Sequence, residues 1–145
     1  MQTIRWMMVK EGEGPPGPRE AIKNAADVYS MARTLGLHEK DREHFVVLLI
    51  DTKNRVVAAE TVSIGILNGS LIHPREVFKA AICASAAGVI AVHNHPSGDV
   101  QPSAEDRVVT KRLEDAGVLL GIPLVDHVIV GDGSFYSFLE AGKEE

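Results

Sequence analysis

The residues most able to do chemistry lie in AVHNHPSGDVQPSAED, residues 91–106. One residue separates His93 from His95, and Asp106 follows after ten more. In an extended chain residues i and i+2 point to one side, so the two imidazoles leave the backbone together and Asn94 faces away. Pro96 biases His95 toward that extended backbone. The apolar run AAGVIAV predicts a buried strand, and Ser103 predicts the start of a helix with Asp106 in its first turn. In open α/β sheets such strand ends are where ligands gather. Two neutral imidazoles and one carboxylate make the ligand set of a catalytic zinc site, which keeps its fourth position for water. Such a metal brings the pKa of water to about 7, supplying a nucleophile at neutral pH.

Each part of the stretch also has a simpler use. Ser103 and Asp106 have the spacing of a capping box. Pro96-Ser97-Gly98 is an ordinary turn. A His-x-His pair alone is more often structural than metal-binding. Capping does not call for two histidines, however, and a turn does not call for an acid at this distance. The joint occurrence favours the metal site.

Holding three ligands takes a rigid frame, and the sequence predicts one. Ile22, Ala25, Ala26 and Tyr29 recur at helical spacing, predicting a leading helix from Pro18 that stops at Gly36. HFVVLLIDT (44–52) and RVVAAETVSIG (55–65) are β-branched apolar runs around Lys53-Asn54, which predicts a hairpin. A loop at 66–73 leads to Pro74, which opens a helix reaching to Gly88. VIAVHN (89–94) predicts a strand. The helix after Ser103 presents Val108, Val109, Leu113 and Ala116 on one face. PLVDHVIVGD (123–132) predicts a last long strand, with SFYSF pairing back across 131–133. A leading helix followed by β-β-α-β-α-β-β is a mixed α/β domain. The expected division is an arm and linker at 1–17, one domain at 18–140 and a tail at 141–145.

Composition sets further bounds. The chain has 145 residues, of which 45% are hydrophobic and 24% charged, enough for one well-packed core. The formal net charge of -5 argues against nonspecific nucleic-acid binding. Cys83 stands alone, so no internal disulfide is possible, which fits a reducing, cytoplasmic setting. Its small, helical neighbourhood predicts a buried structural thiol. No secretory leader is visible. The longest apolar run, FVVLLI (45–50), falls far short of the ~20 residues that cross a bilayer.

H-x-H, ten residues and D, with S-x-x-D inside, resembles the JAMM motif of JAB/MPN-domain metalloproteins. The longer text HNHPSGDVQPSAEDRVVTKRLEDAGVLLGIPLVDHVIVG is similar to the RadC branch of that family, as is ETVSIGILNGSLIHPREVFKAAI. The similarity runs from about residue 20 to 139. It implies a curved mixed sheet flanked by helices, and one zinc ion held by His93, His95 and Asp106. It also implies that Ser103 helps to hold the oxyanion of a tetrahedral intermediate. RadC proteins commonly carry a helix-hairpin-helix region ahead of this domain. This sequence shows none, so direct DNA contact is not expected.

Hydrolysis also needs an acid that is not a ligand, to take a proton from water and pass it to the leaving amine. Glu43, Glu60, Glu76 and Glu105 are the candidates. Glu76 sits in a first helical turn, where the helix dipole favours an acid. Glu105 points about 100° away from Asp106 on the helix. Glu60 lies mid-strand. Glu43 stands at the head of HFVVLLID, where other JAMM proteins place their catalytic glutamate, and is the preferred base. Among the remaining histidines, His127 reads as a core residue, with a supporting role beside Asp126 as the lesser reading. His73 reads as a helix cap, and His38 and His44 as surface or strand residues. The implied activity is zinc-dependent cleavage of a peptide or isopeptide bond in a protein or peptide substrate. The rival is a non-catalytic module of DNA repair or replication complexes. The letters His93-Asn94-His95 do not make an HNH nuclease, whose three residues are spread along a ββα unit. A zinc deaminase would need a Cys-x-x-Cys pair.

Overall fold

The computed structural model describes residues 1–7, 9, 11–12, 21–65 and 72–144. Among the described residues five strands form one mixed sheet, β1 (His44–Ile50), β2 (Val56–Ile64), β3 (Gly88–Asn94), β4 (Leu124–Val130) and β5 (Phe135–Ser137). Their order is β2-β1-β3-β4-β5. β1 runs antiparallel to β2 and β3, β4 is parallel to β3, and β5 returns antiparallel to β4. A parallel pair needs a crossover. Here that crossover is α3 (Ala104–Leu120); the other α-helices among the described residues are α1 (Ala25–Thr34), α2 (Pro74–Cys83) and α4 (Phe138–Glu144), with a 3-10 turn at Leu37–Glu39.

Alternation along the strands sorts the core into two layers. Phe45, Val47 and Leu49 of β1, with Val89 and Ala91 of β3, pack against Val77 and Phe78 of α2 and Val109 and Leu113 of α3. The alternate residues Val46, Leu48, Ile50, Ile90 and Val92 face the other way and meet Val28 and Ala32 of α1. Every residue of β3 is buried, as a central strand covered on both faces must be. Each large apolar side chain so buried contributes about 1.5–3 kcal/mol, so β3 is held firmly up to the residue where its histidines begin.

The predicted element order matches the structure, and the edges shift for local reasons. The leading helix starts at Ala25 because the Asn24 side chain accepts the Asp27 N–H at 3.0 Å. Ile22 lies outside it and bonds instead to the Asn54 carbonyl. The second helix ends at Cys83 rather than Gly88, where Ala84 caps it and Ser85 takes φ +53°. Cys83 is exposed, which corrects the expectation of a buried thiol. The buried stripe of α2 is Val77, Phe78 and Ala81, and two residues past Ala81 lies about 200° round the helix. Val108 is likewise exposed, because α3 turns Asp106, Val109, Thr110, Leu113 and Gly117 inward instead. Residues 138–144 add a helix that the sequence pattern did not predict. The Gly/Pro-rich stretch at 10–18 and the loop at 66–73 lie largely outside the described residues. Among the described residues no helix is long and apolar enough to cross a membrane.

Gly117 shows how tightly α3 is joined to β4. A Cβ there would meet the Ile122 carbonyl oxygen at 2.7 Å and the Leu124 nitrogen at 3.1 Å, both backbone atoms. Glycine to alanine in a helix ordinarily stabilises by about 1 kcal/mol. Here the sign reverses. Gly117→Ala is expected to lower stability by about 1–3 kcal/mol, the range for forcing atoms into a packed interior, as measured by urea unfolding.

Candidate metal centre

β3 delivers His93 as its penultimate residue and His95 just beyond its end. The His95 N–H bonds to the Val130 carbonyl at 2.9 Å, so the chain is still pinned to β4 when it leaves the sheet. The turn that follows lies close over the end of β4. A Cβ on Gly131 would fall 2.6 Å from the Gly98 carbonyl oxygen, so only glycine admits that approach. Ser103 then caps α3. Its Oγ accepts the Asp106 N–H at 3.0 Å, and its own N–H donates to Asp106 Oδ2 at 2.8 Å, completing a capping box.

The cap aims Asp106 at the two imidazoles. His93 Nε2 lies 3.2 Å from Asp106 Oδ1, His95 Nε2 lies 3.1 Å from Asp106 Oδ2, and the two Nε2 atoms are 3.1 Å apart. His93 and Asp106 are buried and His95 is largely so. These three residues form a group that could hold a metal ion. Zinc bonds of about 2.0–2.1 Å in a tetrahedron put ligand atoms about 3.3 Å apart, close to the spacing here.

Proton bookkeeping makes the same point. His95 Nδ1 lies 2.7 Å from the Asp99 carbonyl, which can only accept, so that nitrogen carries the proton and a neutral His95 has a bare Nε2. That lone pair faces the carboxylate directly. Such a meeting of acceptors repels unless a cation, either a proton or a metal, lies between them. In the protein alone a proton answers this need. The bond to Asp106 raises the His95 pKa against the opposing effect of burial, with the Asp99 carbonyl and the Glu43 charge acting in the same upward sense. Burial by itself would raise the Asp106 carboxyl, but its bonds to His93 and His95 together hold it far below the ordinary carboxylate range. Harder cations prefer all-oxygen sites, whereas two imidazoles with one carboxylate suit zinc and its neighbours.

The other candidate residues sort by position. Glu43 immediately precedes β1 and lies near enough for its charge to act on His95. Its carbonyl accepts the Gly65 N–H at 2.8 Å, tying it to the end of β2. Glu76 pairs with Lys79 at 3.1 Å on the surface of α2, and Glu105 is exposed. Glu60 sits on β2, where its charge acts on Lys79. Ser103 is exposed and stands one helical turn before Asp106, as the N-cap of α3. His73 is the N-cap of α2 but makes no side-chain cap bond. His44 bonds the Arg42 carbonyl, and His38 pairs with Glu39.

Two residues that the sequence pattern did not single out belong here, and a third has more than a core role. Asn94, turned away from the histidines, accepts the His44 N–H at 2.7 Å and donates to the Arg42 carbonyl at 3.0 Å. It thus binds the segment that carries Glu43 to the strand that carries the histidines. His127 of β4 is fully buried and lies 2.7 Å from His93 Nδ1. Burial, and then the neighbouring His93, hold its pKa well below the ordinary histidine value. Thr110 of α3 contacts His127 Nδ1 at 2.6 Å. Asp126 faces away, accepting from the Ser137 hydroxyl and the Leu139 and His127 N–H groups, so it serves the start of α4 rather than the metal centre.

A family model described as the RadC-like JAB domain matches residues 22–143. The chain belongs to this family. It is 55% identical over 142 residues to a UPF0758 protein of Rubrobacter xylanophilus, a match that covers 98% of this chain and 60% of that one. It is 52% identical over 128 residues to a UPF0758 protein of Desulforamulus reducens, covering 88% and 56%. A third relative, from Methanosarcina mazei, is 49% identical over 125 residues, covering 86% and 54%. The chain thus spans little more than half the length of these curated relatives. The five-stranded mixed sheet with flanking helices agrees with a JAB-type fold, and the JAMM-like spacing falls on the three converging side chains.

Two outcomes are expected. Asp106→Asn keeps an oxygen for the Ser103 N–H but loses the charge that the histidines stabilise, so urea unfolding should show a loss of about 1.5–3 kcal/mol with the fold retained. Zinc affinity, read by chelator competition, should fall by more than about 100-fold, beyond the 10–100-fold typical of losing a supporting group. Asn94→Ala leaves the His44 N–H and Arg42 carbonyl unpaired and should lower stability by about 1–3 kcal/mol in urea, with stoichiometric zinc retained.

Proposed function

We propose that this RadC-like JAB domain is a zinc-dependent hydrolase of peptide or isopeptide bonds. The observation that carries the proposal is the convergence of His93 Nε2, His95 Nε2 and the Asp106 carboxylate, with the two nitrogens 3.1 Å apart, His93 Nε2 3.2 Å from Oδ1 and His95 Nε2 3.1 Å from Oδ2. When bound there, a divalent zinc ion supplies Lewis acidity and water of low pKa.

The protein's own groups account for the rest. The Glu43 carboxylate takes a proton from the attacking water as oxygen adds to the amide carbon. It then returns that proton to the departing nitrogen as the C–N bond breaks, leaving an acid and an amine. The Ser103 Oγ accepts the Asp106 N–H, which orients the hydroxyl proton away from the helix. That proton is available to the oxyanion of the substrate, a contribution worth about 10²–10³ in rate at comparable sites. Asn94 fixes the distance between base and ligands by joining their two segments. The fully buried faces of His93 and His127, stacked on Phe45 and Phe138, keep bulk water behind the ligands out.

Glu43→Gln tests the assignment, because it keeps the shape and removes the proton acceptor. With a quenched-fluorescence peptide library as substrate, zinc content should be unchanged and turnover should fall about 10²–10⁴-fold. Undiminished turnover would remove Glu43 from the mechanism. A wild-type protein that holds zinc but cleaves no member of the library, linear or isopeptide-linked, would favour the binding-module alternative.

A further inference from the structure

Behind the metal centre runs a buried chain of hydrogen bonds that the hydrolytic chemistry does not itself require. Thr110 Oγ1 lies 2.8 Å from the Asp106 carbonyl oxygen and 2.6 Å from His127 Nδ1. His127 Nε2 lies 2.7 Å from His93 Nδ1. His93 and His127 are wholly buried and Thr110 nearly so. The rings are clamped by aromatic neighbours. Phe45 stacks on His93 with centroids 5.9 Å apart and meets His127 edge-on at 5.6 Å, and Phe138 stacks on His127 at 5.0 Å. Neither ring can flip without breaking this packing.

The protons in that chain can run in only two directions. A hydroxyl has one proton, and a carbonyl only accepts. If Thr110 gives its proton to the Asp106 carbonyl, Oγ1 must accept from His127 Nδ1. Neutral His127 then has a bare Nε2, which must accept from His93 Nδ1, and all three contacts are hydrogen bonds. If Thr110 instead gives its proton to His127, every later donor reverses. The contact to the Asp106 carbonyl is then no longer a bond, and the one ring proton of a neutral His93 goes to Nε2. With His93 Nε2 left free for a cation, the first direction keeps three bonds and the second two; the second regains a third only by turning His93 Nε2–H onto Asp106 Oδ1, 3.2 Å away, which closes that position to a metal. In a dry interior each forfeited bond is costly.

We propose that Thr110 and His127 are positioning residues that place the proton of His93 on Nδ1 and so present its Nε2 lone pair to the metal. The proposal rests on the metal-binding reading of His93, His95 and Asp106. The circuit closes on itself. The backbone carbonyl of one ligand, Asp106, orients Thr110, which sets His127, which sets the other ligand, His93. The less deeply buried ligand His95 is set separately by the Asp99 carbonyl. Losing the buried circuit should therefore unsettle one imidazole and spare the other.

Histidine nitrogens labelled with 15N report their tautomers directly by long-range proton–nitrogen NMR. In the zinc-loaded wild-type protein, His127 should carry its proton on Nδ1 and leave Nε2 bare. A His127 with its proton on Nε2 would overturn the proposal while zinc at the site left the metal reading standing. Thr110→Val removes the hydroxyl and keeps the shape, and should weaken zinc binding about 10–100-fold, the usual cost of losing such support. Thr110→Ser should restore it. Unchanged zinc affinity in a folded Thr110→Val protein would also overturn the proposal. If the valine variant does not fold, the wild-type tautomer still decides. If Asp106→Asn retains zinc at wild-type affinity, it is the metal reading that has failed.

Discussion

Acceptor atoms facing one another across 3.1–3.2 Å are the constraint around which this domain is organised. Left alone, a carboxylate and imidazole lone pairs separate or capture a proton. The fold prevents separation. β3 is buried on both faces and pinned by β1 and β4, so His93 has no freedom to retreat. The helix cap at Ser103 fixes Asp106 from the other side through two backbone-linked bonds. What remains is a standing demand for positive charge, which a proton meets in the protein alone and which a divalent cation would also meet. The metal affinity proposed for the site would in this sense be built from repulsion that the rest of the molecule sustains.

The same residues serve structure and chemistry at once. A helix cap is worth about 1 kcal/mol, and Asp106 provides half of one while presenting both carboxylate oxygens to the histidines. The segment His93-Asn94-His95 divides its work by strand alternation. The outer residues address the metal centre, and the middle one secures the strand head that bears Glu43. Parallel pairing of β3 with β4 brings His127 beside Ala91 in register, two residues from His93 and on the same face of the sheet. A one-residue slip in that register would turn His127 to the opposite layer.

Much of this was legible in the sequence. Apolar, β-branched runs marked β1, β2, β3 and β4, and Pro74 and Ser103 marked two helix starts. The 93/95/106 spacing pointed to the ligands because alternation and the helix start are local rules. Supporting contacts were harder to read. Thr110 is an unremarkable helical threonine until α3 is docked on β4, and His127 looks like a core residue because it is one. Asn94 was placed facing away from the metal, but its partners lie some 50 residues earlier in the chain. Cys83 misled because its sequence neighbours are small and apolar, while its angular position on α2 is outward. Local pattern fixes what an element is; only the packed sheet decides which distant groups meet.

X-ray absorption at the zinc edge of the reconstituted wild-type protein tests the central claim most directly. Four light ligands at about 2.0–2.1 Å, with the multiple-scattering signature of two imidazoles, is the predicted result. A six-oxygen shell without imidazole scattering, or no retained zinc after gel filtration, would contradict it.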